Sequence, residues 1–447
     1  MATGSRLILI GEGVQSLITL ASRPTSTTRG NAHFSTTPSL VTAGTRSLST
    51  ESTPLRHTPL YEFHKQHGAQ MVPYAGYAMP VQYANLGVLA SHHHTRTAAS
   101  LFDVSHMLQV RFTGPDRVKF LESLVVADLQ NLAPGHMALS VLTNDQGGII
   151  DDTVITNQPA WFADSPPSSA GGTDETALYM VLNAGCAEKD LLHIQARLDA
   201  AIRDHGLQVH LAIQSRYALL ALQGPRAAEA LAAAGEGSEL ADLDQLKFMQ
   251  AKMATLRGVP IHLARCGYTG EDGFELAVPA THATHVAEWL LEQPAVELAG
   301  LGARDSLRLE AGLCLYGHEL DQNTTPVEAG LTWTIGKRRR QEGGFPGAEI
   351  ILGQIKNNPP RRRVGLIVQG SPARQNAIIY NEQGEQIGEV TSGIPSPSVK
   401  GQNIAMGYVK FGYHKNNTPL KVAVRKRMNP ATVAKTPFVP ANYYKGG

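Results

Sequence analysis

Two apolar runs joined by a polar turn dominate the fold of this chain: Leu139-Ser140-Val141-Leu142-Thr143-Asn144-Asp145-Gln146-Gly147-Gly148-Ile149-Ile150-Asp151-Asp152-Thr153-Val154-Ile155-Thr156. Aliphatic and β-branched residues on both sides of the turn predict a β-hairpin. Successive strand side chains point to opposite faces, so only one of Asp151 and Asp152 can face a given cavity. Buried there, a carboxylate would need a hydrogen-bond donor or a cationic ligand, whereas the alternative is a solvated hairpin end.

Helix and strand patterns are mixed along the rest of the chain without a regular βαβ alternation. This favours an α+β fold over a doubly wound sheet. Short strands at regular turn spacing predict an antiparallel β-barrel or sandwich over residues 364–447. Two basic runs, at 337–340 and 361–363, predict a basic linker over 336–363 that is either solvated or a docking patch for an acidic partner. Residues 54–335 would then form the main region.

The first 53 residues differ in composition from the rest of the chain. They are rich in Ser and Thr and contain four arginines but only two acids, Glu12 and Glu51. That composition is typical of an organelle transit peptide and predicts import into mitochondria. A disordered tail without an address is the alternative.

Overall composition excludes several classes of protein. Of 447 residues, 39 are Lys or Arg and 38 are Asp or Glu, so there is no basic excess for binding nucleic acid regardless of sequence. Hydrophobic residues make up 42%, which fits a globular protein, and no apolar run is long enough for a membrane-spanning helix. The three cysteines argue against a disulfide framework and for a reducing compartment.

A glycine-rich segment, Cys266-Gly267-Tyr268-Thr269-Gly270-Glu271-Asp272-Gly273-Phe274-Glu275-Leu276, is a second candidate site. Glu275 lies between two apolar residues, and a carboxylate in such surroundings suits the adjacent N–H donors of a pterin or guanine edge. The Tyr268 phenol can stack and donate. An ordinary acidic hairpin is the alternative.

Two arginines one helical turn apart, Arg304 and Arg308, could bind a carboxylate or a heterocycle carbonyl. Pairing of Arg308 with Asp305 within the helix is an equally good interpretation. The run His92-His93-His94 does not predict a metal site, because consecutive side chains diverge in a helix and in a strand.

Taken together, the motifs resemble the aminomethyltransferase (T-protein) family of the glycine cleavage system. The resemblance extends over residues 58–444, and its motifs are individually short but numerous and in order. They include Leu101-Phe102-Asp103-Val104-Ser105-His106-Met107, Gly147 to Asp152, Asn183-Ala184-Gly185, Ala221-Leu222-Gln223-Gly224-Pro225, Arg265 to Glu275, Gly300 to Gly312, Tyr316-Gly317-His318, Thr325-Pro326-Val327-Glu328, Val390-Thr391-Ser392-Gly393 and Pro437-Phe438-Val439-Pro440. A polar segment at 159–176 departs from the family pattern as a longer loop.

The resemblance implies a three-domain cloverleaf around a central folate channel. Residues 54–335 would be the folate-binding aminomethyltransferase region, made of two intertwined α+β domains, and residues 364–447 the C-terminal β-barrel domain. It also implies a reaction in glycine catabolism: the methylene carbon of an aminomethyl group on the lipoyl arm of H-protein moves to tetrahydrofolate. The products are 5,10-methylenetetrahydrofolate, ammonia and dihydrolipoyl H-protein. The implied location is the mitochondrial matrix, with no metal, no nucleic acid and no membrane insertion.

The resemblance further implies roles for individual residues. Asp152 matches the key aspartate, which orients the attacking nitrogens of the folate and stabilises developing cationic charge. It is also placed to relay a proton. The residues that match folate-contacting positions are Glu275, Arg304, Tyr443, Tyr268 and Asn183, and Met107 is expected to line the channel.

Three related interpretations compete with this one. Folate-dependent amine dehydrogenases add a flavin domain with a dinucleotide fingerprint, which this sequence lacks. The related iron–sulfur assembly factor has a Lys-Gly-Cys-Tyr-x-Gly-Gln-Glu motif, whereas here the thiol of Cys266 is displaced and the Gln-Glu pair is absent. A folate-binding module without turnover is opposed by Asp152.

Overall fold

A computed structural model describes residues 54–158, 176–235, 240 and 242–446. The predicted transit peptide, and residues 159–175 of the loop insertion predicted at 159–176, lie outside these residues. Within the described ranges the chain builds three main β-structures, namely a five-stranded sheet, a six-stranded sheet and a closed barrel. No helix in these ranges is long and apolar enough to cross a membrane.

The elements follow one another along the chain in mixed order, which confirms the predicted α+β class. The strands are β1 (Ala69–Tyr74), β2 (Tyr77–Tyr83), β3 (Ala99–Asp103), β4 (Leu108–Thr113), β5 (Met137–Thr143), β6 (Ile149–Gln158), β7 (Ala177–Leu182), β8 (His210–Ile213), β9 (Tyr217–Gln223), β10 (Gln250–Leu256), β11 (Val259–Arg265), β12 (Gly273–Pro279), β13 (Val296–Leu298), β14 (Arg361–Val368), β15 (Ile378–Tyr380), β16 (Gln386–Pro395), β17 (Asn403–Lys410), β18 (Pro419–Val424) and β19 (Arg427–Ala434). The helices are α1 (Tyr61–Gln66), α2 (Val88–Thr97), α3 (Arg117–Glu122), α4 (Ala187–His205), α5 (Ala227–Ala234), α6 (Ala283–Leu291), α7 (Leu301–Glu310), α8 (Lys337–Glu342) and α9 (Ala348–Asn357).

The five-stranded sheet has the antiparallel order β5-β6-β7-β4-β8. Its hydrophobic core includes Phe112, Phe120 and Ile155, together with Ile194 and Leu198 of α4. Helix α4 therefore covers one face of the sheet. The side chains of the opposite face point away from α4.

The six-stranded sheet has the order β10-β11-β12-β9-β3-β13, antiparallel except for the parallel pair of β13 and β3. One face packs against α5 and α6, as the shared core of Leu220, Leu231, Leu276 and Leu290 shows. A separate cluster on the other face joins Ala221 and Ala277 to Ala303 and Leu307 of α7. Helix α7 is thus fixed to the face that α5 and α6 leave open.

The C-terminal strands close into a barrel of order β14-β17-β16-β15-β18-β19, with β19 returning to β14. Its interior is filled by aliphatic side chains such as Leu366, Ile379, Val390 and Val422. The predicted β-barrel is confirmed, and its first strand begins at Arg361, three residues before the predicted boundary.

The segment 336–363, predicted as a basic linker, is folded in the structure. Residues 337–342 form α8, in which Arg339 is buried and Arg338 lies 2.5 Å from Glu122 and 2.8 Å from Asp128. Arg361 begins β14 and pairs with Glu328 at 2.9 Å. These arginines form ion pairs with acids of the same chain. Few of their N–H donors are therefore left to bind a partner protein.

The turn that connects β5 to β6 depends on two glycines. Asn144 accepts a hydrogen bond from the backbone N–H of Gly148, and Gly147 has a left-handed φ of +78°. A Cβ atom at Gly148 would lie 1.8 Å from the carbonyl oxygen of Gln322. The backbone contact therefore admits only glycine and fixes the start of the strand that bears Asp151 and Asp152.

We expect Gly148→Ala to destabilise the protein by about 1–3 kcal/mol or more, because a rigid backbone carbonyl blocks the added methyl group. Thermal unfolding followed by calorimetry measures the change. Gly353→Ala is the matched control, since Gly353 lies in α9 with no atom near the added Cβ. That variant should keep or slightly raise the stability. Equal melting temperatures for the Gly148 variant and the parent would contradict this account of the turn.

Candidate active site

A cavity lies between the five-stranded and the six-stranded sheets. Its lining includes Val154 and Thr156 of β6, Tyr179 and Val181 of β7, His262 of β11 and Glu275 of β12. Two sheets thus contribute facing strands to a common interior space, and most of the lining is apolar or aromatic.

Asp152 belongs to the cavity face of β6. Side chains two residues apart share a strand face, so Asp152 lies in line with Val154 and Thr156. Asp151 points the other way, toward α4, and is fully buried. Asp151 and Asp152 thus lie on opposite faces of β6, as strand alternation predicts.

Asn183 joins the two acids. Its side-chain Nδ2 donates to Asp151 Oδ1 and to Asp152 Oδ1, each at 2.9 Å, and its backbone N–H donates to Asp151 Oδ2 at 2.9 Å. Burial, reinforced by the neighbouring Asp151, raises the pKa of Asp152 to about 7, against the opposing effects of Asn183 and Lys189. A carboxyl with this pKa exchanges a proton readily near neutral pH.

A buried polar cluster lies behind Asp152, on the α4 side of β6. The ligating atoms of Asp151, Cys186 and Asp190 lie within 4.8 Å of one another. Lys189 Nζ lies 3.3 Å from Asp190 Oδ1 and 4.4 Å from the centre of the Tyr316 ring. Burial raises the pKa of Asp151 well above its usual range and also raises that of the Cys186 thiol.

The three acids of the glycine-rich segment have different partners. Glu271 pairs with Arg96 at 2.8 Å, and Asp272 pairs with Arg265 at 2.5 Å. Glu275 alone among them faces the cavity. Burial raises its pKa, and the nearby Arg304 guanidinium opposes that rise.

Arg304 and Tyr268 lie together at the start of α7. The guanidinium carbon of Arg304 lies 4.7 Å from the centre of the Tyr268 ring, and the Tyr268 hydroxyl donates to the Cys314 carbonyl. Burial raises the pKa of Tyr268, and Asp152 contributes to that rise, so the phenol lies within electrostatic reach of both Arg304 and Asp152. Arg308 instead pairs with Asp305 at 2.9 Å, as the alternative interpretation expected.

The remaining two predicted contact residues differ in position. Met107 packs against the cluster beneath α7, as does the cavity-lining Val181. Tyr443 stacks on Phe248 with ring centres 4.1 Å apart, and the charges that affect its pKa are those of Arg96 and Glu271. The surroundings of Tyr443 therefore differ from those of Asp152 and Glu275.

Sequence reasoning missed two residues that line the cavity, Tyr179 and His262. Their rings lie 5.0 Å apart, and burial lowers the pKa of His262 to about 3, so the imidazole is neutral. Tyr179 follows a period-two pattern with Val181 and Asn183, which could have identified it once Asn183 was singled out. No local signal marks His262.

Comparison with known families gives a consistent result. The family model described as "GCVT N-terminal domain" matches residues 60–339. The one described as "Glycine cleavage T-protein C-terminal barrel domain" matches residues 361–440, which are the barrel strands and the segment after them. The boundary between the two matches falls at α8 and α9.

Individual relatives agree with the family models. The mitochondrial aminomethyltransferase of Mus musculus is 50% identical over 400 residues, which cover 89% of this chain and 94% of the relative. That of Pisum sativum is 49% identical over 402 residues, covering 90% and 93%. The crystal structure of glycine cleavage system aminomethyltransferase T from Bartonella henselae has a TM-score of 0.77 and 39% identity, covering 88% of this chain and all of that one. The chain therefore belongs to the aminomethyltransferase (T-protein) family of the glycine cleavage system.

Proposed function

We propose that this chain transfers the methylene carbon of an aminomethyl group, presented on the lipoyl arm of H-protein, to tetrahydrofolate. Ammonia, dihydrolipoyl H-protein and 5,10-methylenetetrahydrofolate are the products. The observation that carries the proposal is the Asp152 carboxyl, which lies on the cavity face of β6 with its pKa raised to about 7.

Asp152 suits this reaction in two ways. Its ionised form stabilises positive charge that develops near the methylene carbon as ammonia leaves, and a carboxylate fixed in a cavity does so without reorganising solvent. Its pKa lets it accept or return a proton near neutral pH. Asn183 holds Oδ1 of this carboxylate, so its direction is set before substrate binds.

In this proposal Glu275, in the wall of the cavity, meets a flat nitrogen heterocycle. Glu275 offers two oxygens to adjacent N–H donors of a pterin ring, and the aromatic rings of Tyr179 and His262 form part of the wall. Desolvation favours the pairing of Glu275 with such donors, because burial has already weakened its hydration.

Other residues would hold the remaining parts of the folate. Among the residues that the structure describes, Arg304 has no ion pair, so its guanidinium is available for a carboxylate or carbonyl oxygen above the Tyr268 ring. Met107, which packs against the same cluster as the cavity-lining Val181, lines the channel in this proposal. Tyr443, beside Phe248, would contact the folate farther from Asp152.

The protein partner in this proposal is lipoylated H-protein, and the location is the mitochondrial matrix, reached by residues 1–53 acting as a transit peptide. The names of the similar proteins support the location, since the relatives from Mus musculus and Pisum sativum are both called mitochondrial. The proposed chemistry requires no metal, nucleic acid or membrane.

The proposed function is tested by a single-turnover assay with aminomethylated lipoyl H-protein. We expect rapid ammonia release only when tetrahydrofolate is present, together with formation of methylenetetrahydrofolate. Unmodified lipoyl H-protein is the control and should release none. Ammonia release that does not respond to folate would contradict the proposal.

Asp152→Asn should lower kcat by at least about 100-fold, because a neutral amide can neither stabilise a cation nor accept the proton. In the parent, kcat/KM should rise about tenfold per pH unit up to about pH 7 and then level off, since the raised pKa of Asp152 must be exceeded for the carboxyl to ionise. Steady-state rates over a pH series measure both effects.

The control for this experiment is Asp204→Asn, which removes an exposed acid paired with Arg203. That variant should keep the parental rate and profile. A rate that falls with rising pH through about 7 would show that the protonated form of Asp152 is the active one, contrary to its proposed role.

Arg304→Gln should raise the KM for tetrahydrofolate by about tenfold or more, because a charge-assisted hydrogen bond contributes about 1.5–3 kcal/mol. The KM for aminomethylated H-protein should stay unchanged. Arg216→Gln, at an exposed position, is the matched control. An unchanged folate KM in the Arg304 variant would remove this residue from the binding site.

A further inference from the structure

The buried cluster behind Asp152 contains an acid that the proposed reaction does not use. Asp190 on α4 is fully buried, and neither of its oxygens accepts a hydrogen bond within the described part of the chain. The nearby Lys189 is an ion-pair partner at 3.3 Å but is one-third exposed. A buried carboxylate without a donor is costly, so this arrangement requires an explanation.

The facing group is Asp151, which is equally buried. Both of its oxygens already accept hydrogen bonds from Asn183. The ligating oxygens of the two acids lie within 4.8 Å of each other, and among the described residues one ammonium, that of Lys189, lies beside them. Two charged carboxylates in this arrangement would leave a buried negative charge uncompensated. One proton between them removes that charge and provides Asp190 with the donor that it lacks.

We propose that Asp151 and Asp190 share one proton, and that this pair, acting through Asn183, holds the Asp152 carboxylate in the orientation that the reaction needs. The inference rests on the proposed function for the role of Asp152, while the proton sharing itself is independent of it. Asp151 and Asp190 are positioning residues, because Asp151 contacts Asn183 and Asp190 acts through Asp151, and neither contacts the substrate in this proposal.

Other charged and titratable groups around the pair agree with a bound proton rather than a bound cation. Burial raises the pKa of both Asp151 and Asp190, which favours a protonated carboxyl. The Cys186 thiol is kept protonated by burial, and the Lys189 ammonium already occupies the cationic position beside Asp190. The groups that face the pair and Asp152 from neighbouring elements are Cys186, Lys189, Tyr268, Cys314 and Tyr316.

The role of Asp151 follows from the hydrogen-bonding capacity of its two oxygens. Both N–H donors of Asn183 that reach Asp151 need an acceptor, and a carboxyl group provides two. The side chain in Asp151→Asn has a single oxygen, so one of these donors would face an NH₂ group. Asp190→Asn keeps Asp151 intact and offers an N–H in place of the shared proton.

Infrared difference spectra of the full protein without substrate test the shared proton directly. At about pH 9, roughly two units above the pKa of Asp152, that residue is ionised and its carboxyl stretch is absent. We expect the carbonyl stretch of a protonated carboxyl in parent minus Asp190→Asn and in parent minus Asp151→Asn. Parent minus Asp152→Asn should lack it. Glu275→Gln identifies any contribution from the other acid whose pKa burial raises.

Two spectral results would overturn the proposal. One is the absence of the band from both pair difference spectra at about pH 9 and at each step of a series down to about pH 6, which would mean that no proton is shared. The other is its loss in Asp152→Asn, which would assign the proton to Asp152. Neither result depends on turnover, so failure here is distinguishable from failure of the proposed reaction. If Asp151→Asn does not fold, Asp190→Asn still decides the question.

Kinetics test the positioning role. Asp151→Asn should lower kcat at least about tenfold, because Asn183 is released, with the KM for tetrahydrofolate unchanged. It should also move the acidic limb of kcat/KM to lower pH, since Asp151 helps to raise the pKa of Asp152. Asp190→Asn should lose only a few-fold in kcat. Equal losses in both variants with an unmoved acidic limb would indicate a purely structural role and overturn the proposal.

Discussion

The buried charges of α7 hold the barrel against the rest of the chain, and the position of the site depends on them. Arg308 donates to Glu319 at 2.8 Å and to Ser392 of the barrel at 2.9 Å. Glu310 accepts from Arg96 at 2.9 Å and from Ser398 at 2.6 Å. Removing one partner of a buried ion pair costs about 3–5 kcal/mol, so the network tolerates few arrangements. Arg304 lies one turn before Arg308 and is fixed with it.

The same demand for partners explains why the candidate site is formed between sheets. One face of each sheet packs against helices and forms a hydrophobic core. The opposite faces of β6, β7, β11 and β12 line the cavity. Apolar and aromatic walls keep water away, which strengthens any electrostatic interaction inside. The wall therefore raises the pKa of Asp152 toward neutrality and makes Glu275 receptive to N–H donors.

Local patterns predicted those features that depend on neighbours in sequence. The hairpin, the opposite faces of Asp151 and Asp152 and the C-terminal barrel follow from strand periodicity and turn residues. The folded state of the basic segment does not, because Arg338 finds its acid at Glu122, 216 positions away. The position of His262 in the cavity wall cannot be predicted from local sequence either, because only the pairing of distant strands brings its ring beside Tyr179.

Strand alternation places the adjacent acids Asp151 and Asp152 in different surroundings, on opposite faces of β6. Asp152 lies on the same face of β6 as the cavity-lining Val154 and Thr156, and in the proposed reaction its ionised form stabilises a cation. Asp151 faces α4, where a second charge would be uncompensated. A residue between them must donate hydrogen bonds to both carboxyl groups. Asn183 does so with its side-chain amide and its backbone N–H. An ionised Asp151 raises the pKa of Asp152 through its charge and so reduces the active fraction at neutral pH. A proton shared with Asp190 limits this repulsion while keeping both acceptor oxygens, which explains why an acid rather than an apolar residue is useful at position 151.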